Sequence, residues 1–82
     1  AFAYPNPTRN GEVKIRVLNA THKIELKIYD IAGNLVYKTE VNNEENIYQD
    51  IPWDTRKISS GVYFGIVKSD GKISKVPIAD EN

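Results

Sequence analysis

Lys23-Ile24-Glu25-Leu26-Lys27-Ile28 alternates charged and aliphatic side chains without a break. Successive side chains of an extended chain point to opposite sides, so Ile24, Leu26 and Ile28 share one face while Lys23, Glu25 and Lys27 share the other. This is a strand with one face buried and one in water. Glu12 to Val17 repeats the rule, with Val13, Ile15 and Val17 inward and Lys14 and Arg16 outward. A third run, Leu35 to Val41, follows Ala32-Gly33-Asn34. Glycine and asparagine tolerate the positive φ of a two-residue hairpin turn, so the runs on either side of it, Lys23 to Ile28 and Leu35 to Val41, predict an antiparallel hairpin.

Outward from this hairpin the pattern stays extended. Asn42 to Asn46 is polar and acidic and reads as a loop, and Ile47 to Trp53 reads as another strand. Gly61 to Lys68 is apolar on both sides, with Val62, Phe64 and Ile66 on one and Tyr63 and Val67 on the other. That places it in the middle of a sheet. Ser69-Asp70-Gly71 turns the chain into Lys72 to Ala79, where Pro77 removes a ladder donor and predicts an edge strand. A short strand at Phe2 to Tyr4 completes a set of seven. Thr55 to Ile58 forms at most a single turn, its donors capped by Asp54. Seven short antiparallel strands with frequent turns predict an all-β sandwich of two sheets.

The totals set limits. At 82 residues the chain is one small domain spanning 1–82, without repeat or linker. Such a domain buries only ~60–65% of the surface its unfolded form exposes. There is no cysteine, hence no disulfide and no thiolate nucleophile or ligand. Eleven basic and eleven acidic residues cancel, so nothing draws nucleic acid or anionic lipid over long range. No apolar run approaches the ~20 residues of a membrane-crossing helix, and no signal peptide opens the chain. Methionine is absent even from position 1, which reads as a piece of a longer protein.

Three stretches carry a resemblance. Tyr4-Pro5-Asn6-Pro7 opens the domain, and Tyr29-Asp30-Ile31-Ala32-Gly33 lies in the central hairpin. Trp53-Asp54 leads after a short gap into Gly61-Val62-Tyr63-Phe64. In this order and spacing, from Tyr4 to about Ile78, they resemble the Ig-like C-terminal sorting domains (type A) of type IX secretion. They are also similar to the Ig-like domain of flagellar hook-capping proteins. The resemblance implies an Ig-like sandwich at the end of a larger secreted bacterial protein, with Pro5 and Pro7 fixing how the chain comes in from a preceding domain. It implies no chemistry and no cofactor; the partner would be the secretion machinery or the preceding domain. Recognition would use the folded surface and the last hairpin, Phe64 to Ile78. Departures stand out on both sides: from the sorting pattern, Ala79-Asp80-Glu81-Asn82 trails off acidic; from the hook-capping pattern, which the Trp-Asp pair resembles more, Thr55 replaces the usual following glycine and the segment Thr55 to Ser59 is short.

Other residues are weighed against plainer roles. His22, the only histidine, reads as a solvated loop residue rather than a ligand or base. Asp30, Asp50, Asp54 and Asp70 sit at or near strand ends and read as turn caps, since calcium needs oxygens converging within one loop. Trp53 and Tyr63 read as core, and Tyr63 is placed to hydrogen-bond back to the preceding corner. Tyr29, Tyr37 and Tyr48 are expected to share an outer face, packing across strands or serving as a carbohydrate platform. Asn19-Ala20-Thr21 reads as an accidental glycosylation sequon and Asn6-Pro7-Thr8 as excluded by its proline. Ser59 and Ser60 read as turn residues. The functional expectation is a non-catalytic sorting module, with an assembly module or a carbohydrate-binding module as rivals.

Overall fold

The computed structural model describes residues 1–5, 11–18, 22–42 and 48–81. Every regular element among them is a strand: β1 (Phe2–Tyr4), β2 (Glu12–Leu18), β3 (Lys23–Asp30), β4 (Leu35–Asn42), β5 (Tyr48–Asp54), β6 (Gly61–Ser69) and β7 (Lys72–Asp80). They form a three-stranded sheet, β1-β2-β5, and a four-stranded sheet, β4-β3-β6-β7, with all pairings antiparallel. This is the Ig-like arrangement in which the fourth strand joins the sheet of the third, sixth and seventh. β6 is an inner strand and β7, with Pro77, an edge, as the apolar patterning requires.

The core is the set of inward positions. Ala3, Val13, Ile15, Val17, Ile51 and Trp53 come from the first sheet, and Ile24, Leu26, Ile28, Tyr63, Val67, Val76 and Ile78 from the second. Each fully buried aliphatic side chain contributes about 1.5–3 kcal/mol of transfer free energy. The Trp53 ring meets Tyr63 edge-on at 5.5 Å between centroids and lies 6.3 Å from Tyr37, joining the sheets through aromatic contact. The Tyr63 hydroxyl donates to the Ser59 carbonyl oxygen at 2.6 Å, fastening the approach to β6.

The turns differ in part from the sequence expectation. The β3–β4 hairpin forms, but its loop is four residues, Ile31 to Asn34, not two. Asp30 dictates this. Its carboxylate accepts from the Ala32 amide at 3.0 Å, the Asn34 amide at 2.8 Å and the Asn34 side chain at 3.2 Å. A bulge after Ile28 then shifts the pairing so that Tyr29 faces Leu35. The β6–β7 turn is the two-residue kind, with Asp70 and Gly71 both at positive φ, 51° and 76°. At the other end Asp54 accepts from the Arg56 amide at 2.9 Å, and Ile58 N–H donates to the Thr55 carbonyl in a single turn. Thr55 itself is fully buried, and its amide donates to the Gly11 carbonyl at 2.8 Å.

Two further expectations are corrected. Asn42 belongs to β4, whereas the rest of the expected loop (43–46) and Ile47 lie outside the described residues. The last strand, expected to end at Ala79, runs on to Asp80, which pairs with Gly61 and is 3% exposed. Alternation explains it: Asp80 falls on the same side as Val76 and Ile78.

Candidate functional site

Register brings a charged aromatic cluster together on the outer face of the three-stranded sheet. Arg16, in the middle of β2, stands opposite Phe2 on one side and Asp50 on the other. Its guanidinium grips the Asp50 carboxylate with both prongs, Nε to Oδ1 at 2.8 Å and Nη2 to Oδ2 at 3.0 Å. The same Nη2 donates to the Tyr4 hydroxyl at 3.0 Å, and that hydroxyl donates to Asp50 Oδ2. Arg16 Cζ lies 4.0 Å from the Tyr48 ring centroid and 5.0 Å from that of Tyr4. Two-pronged guanidinium–carboxylate pairs are among the stronger and more directional of polar contacts. Here the contact ties the short strand β1, through Tyr4, to both β2 and β5.

The charges of the cluster are fixed by one another. The Arg16 hydrogen bonds, helped by Tyr4, hold the Asp50 carboxyl down to about 2. The hydrogen bond to Asp50 and desolvation raise the Tyr4 phenol, and Asp50 raises the Arg16 guanidinium. A carboxylate so stabilised is a poor proton acceptor at neutral pH. The cluster suits fastening and binding better than proton transfer. Asp50 is therefore not the turn cap expected of it but lies within β5, and Arg16, outward as expected, is its partner. Their pairing depends on the β2–β5 register, to which the linear chain offers no signal.

The remaining motif residues disperse through the fold. Tyr4 and Pro5 stand at the end of β1, joined by a cis peptide bond, while Asn6 and Pro7 lie outside the described residues. Asp30 organises the loop that contains Gly33, and its bonds from Asn34, first the backbone amide, lower its pKa. Asp54 is likewise lowered, chiefly by the Arg56 side chain at 2.7 Å. Trp53 and Tyr63 are core, and desolvation pushes the Tyr63 phenol up. Gly61 opens β6, and Val62 and Phe64 face outward beside it. His22 is exposed just before β3. The sequon at 19–21 and Asn6-Pro7-Thr8 lie outside the described residues.

The expected tyrosine face does not exist. Tyr37 points inward opposite Ile28 and packs on the core, Tyr29 lies on the outer face of the four-stranded sheet, and Tyr48 lies on the outside of the other sheet. A residue at an inward parity cannot join one at an outward parity, and the outer faces of the two sheets point away from each other. Two surface hollows, one beside Ala1, Leu18 and Lys72 and one beside Tyr4, Pro5 and Lys14, hold no paired nucleophile and base. Among the described residues no group of histidines and carboxylates could hold a metal ion, and no helix is long and apolar enough to cross a membrane.

Residues 3–78 match a family described as the secretion system C-terminal sorting domain. Among solved structures the fold is similar to part of PorZ, an essential bacterial surface component of the type IX secretion system of Porphyromonas gingivalis. The two share 29% identity and a TM-score of 0.75, over 98% of this chain and 11% of PorZ. It is also similar in fold to part of dimeric latent PorU from the same organism, at 23% identity and a TM-score of 0.67, over 96% of this chain and 9% of PorU. The chain thus spans about a tenth of the length of either protein. No curated protein matches it. The chain belongs to the family of secretion system C-terminal sorting domains, modules that mark bacterial proteins for secretion and the cell surface.

Proposed function

We propose that this domain is a type IX sorting signal carried by a larger exported protein, read as a folded surface by the secretion machinery and performing no chemistry of its own. The observation that carries this reading is the family match over residues 3–78, nearly the whole chain. The likeness to part of a type IX surface component supports the choice of system. The geometry agrees with it. Charged groups such as Arg16, Asp50, Asp54 and Arg56 are engaged with one another in fastening strands and turns. The outward-facing side of the last hairpin, Phe64 to Ile78, supplies part of the surface to be read.

The test is direct. Residues 1–82 are fused behind a periplasmic reporter in a type IX-competent bacterium, and the reporter is located by fractionation and surface labelling. It is expected outside the outer membrane. Retention in the periplasm, with the fusion intact and folded, overturns the reading.

A further inference from the structure

The outer face of the four-stranded sheet carries two adjoining cross-strand rows of opposite character. Register sets Leu35 of β4, Tyr29 of β3, Phe64 of β6 and Pro77 of β7 side by side. With strands ~4.8 Å apart, this apolar row is roughly 15 Å long. The next row reads Lys38, Lys27, Ile66 and Lys75. On the other flank stand Val62, 45% exposed, and Ala79.

The lysine row is costly to the fold. Lys27 and Lys38 stand directly opposite each other, an arrangement that destabilises a sheet. Neither forms an ion pair with another described residue, whereas Lys23 on the same face reaches Glu40 at 3.3 Å. Lys75 Nζ sits 4.4 Å from the Phe64 ring centroid, so positive charge overlaps the apolar row. At the described strand positions of this face, Lys23, Lys27, Lys38, Lys68 and Lys75 stand against the acidic Glu25 and Glu40, with Glu81 just beyond the end of β7, in a chain with no net charge. Exposed apolar patches rimmed by charge mark interaction sites, and complementary charge guides the partner in.

We infer that this face docks an acidic protein segment bearing aliphatic or aromatic side chains, its carboxylates over Lys38, Lys27 and Lys75 and its apolar groups over Leu35, Tyr29 and Phe64. The charge excess selects an acidic partner. The apolar row selects protein over an anionic polysaccharide, which has no oily side chains to cover Leu35 and Val62. The inference rests on the sorting-signal reading, the partner being a component of the secretion machinery.

The test uses the same reporter fusion in three variants. Lys27→Glu with Lys38→Glu reverses the lysine row; Leu35→Ser with Phe64→Thr removes the apolar row. Lys14→Glu with Lys57→Glu makes an equal charge change away from the face. Melting curves of each purified domain establish that it is folded, and a row variant that has lost its fold is replaced by the single Lys38→Glu or Leu35→Ser change. Export is expected to fall about tenfold or more in both row variants and to stay at the native level in the third. Native-level export of both row variants overturns the docking face while leaving the sorting reading intact. Loss with the lysine variant but not the apolar one points to a simple polyanion and overturns the protein partner. Periplasmic retention of the unmodified fusion overturns the sorting reading, and this inference with it.

Discussion

Replacing Gly65 with alanine should make the domain more stable, although glycine at an inner position of a central strand looks like a packing requirement. Gly65 faces the core of β6 between Ile28 of β3 and Val76 of β7. A methyl group built there would lie 3.5 Å from Leu26 Cδ1 and 3.7 Å from Val76 Cβ and its carbonyl oxygen, ordinary contact distances. The backbone is that of a strand, so alanine adopts it without strain. Two gains then add. Restricting the unfolded chain is worth ~0.4–1 kcal/mol. Burying a methyl group adds ~0.8 kcal/mol where it fits without displacing its neighbours. The total, about 1–2 kcal/mol, corresponds for a domain of this size to a melting temperature higher by roughly 4–16 °C. Thermal and urea unfolding followed by Trp53 fluorescence and circular dichroism read this directly, with the midpoint moving and the slope unchanged. A lowered midpoint would refute the reasoning, because it would mean that Leu26 and Val76 cannot accept a methyl group. Gly11 supplies the opposite sign: its φ is 79° and a side chain there collides with the Arg56 stem. Gly11→Ala should therefore destabilise by about 1–2 kcal/mol.

Three further outcomes follow from the same geometry. Asp50 is held at about 2 in the folded chain. Its unfolded value is near 3.9, so the stability it contributes is complete above about pH 5 and lost as pH falls toward 2. Acid titration of the melting temperature should show this loss, and Asp50→Asn, less stable at neutral pH, should flatten it; a parallel curve for the variant refutes the assignment. Trp53→Ala should cost about 3–5 kcal/mol, enough to unfold much of a domain whose total stability is of order 5–15 kcal/mol, as a urea titration would show. Tyr63→Phe removes the bond to the Ser59 carbonyl and should cost about 0.5–1.5 kcal/mol in the same assay while leaving reporter export unchanged.

Much of this architecture is legible in the chain because its physics is local. Ile24, Leu26 and Ile28 declare their strand by alternation, Val62 to Val67 declare an inner strand by being apolar on both sides, and Pro77 declares an edge. What is not legible depends on register between distant segments. Arg16 and Asp50 are 34 positions apart and meet only because β2 pairs with β5 in one alignment. Tyr29 and Tyr37 look equivalent in a list of tyrosines, yet the bulge after Ile28 and the parity of β4 send them to opposite faces. Asp80 looks like tail because it is acidic, and only the continued pairing of β7 with β6 shows it facing inward. Asp30 lengthens its loop through side-chain bonds that composition does not encode. The lysine row is hidden by a net charge of zero, which sums over both faces of both sheets.

The placement of β7 has a consequence for timing. Lys75 and Pro77 complete the two outer rows, and Val76 and Ile78 close the interior behind them, yet all four belong to the final strand in chain order. A ribosome that stalls before Lys72 therefore releases a chain in which β6 has lost one neighbour and the core lacks Val76 and Ile78. Under the sorting reading proposed above, such a fragment has neither a closed interior nor a complete outer face to present, so truncation of the last strand and loss of recognition come together.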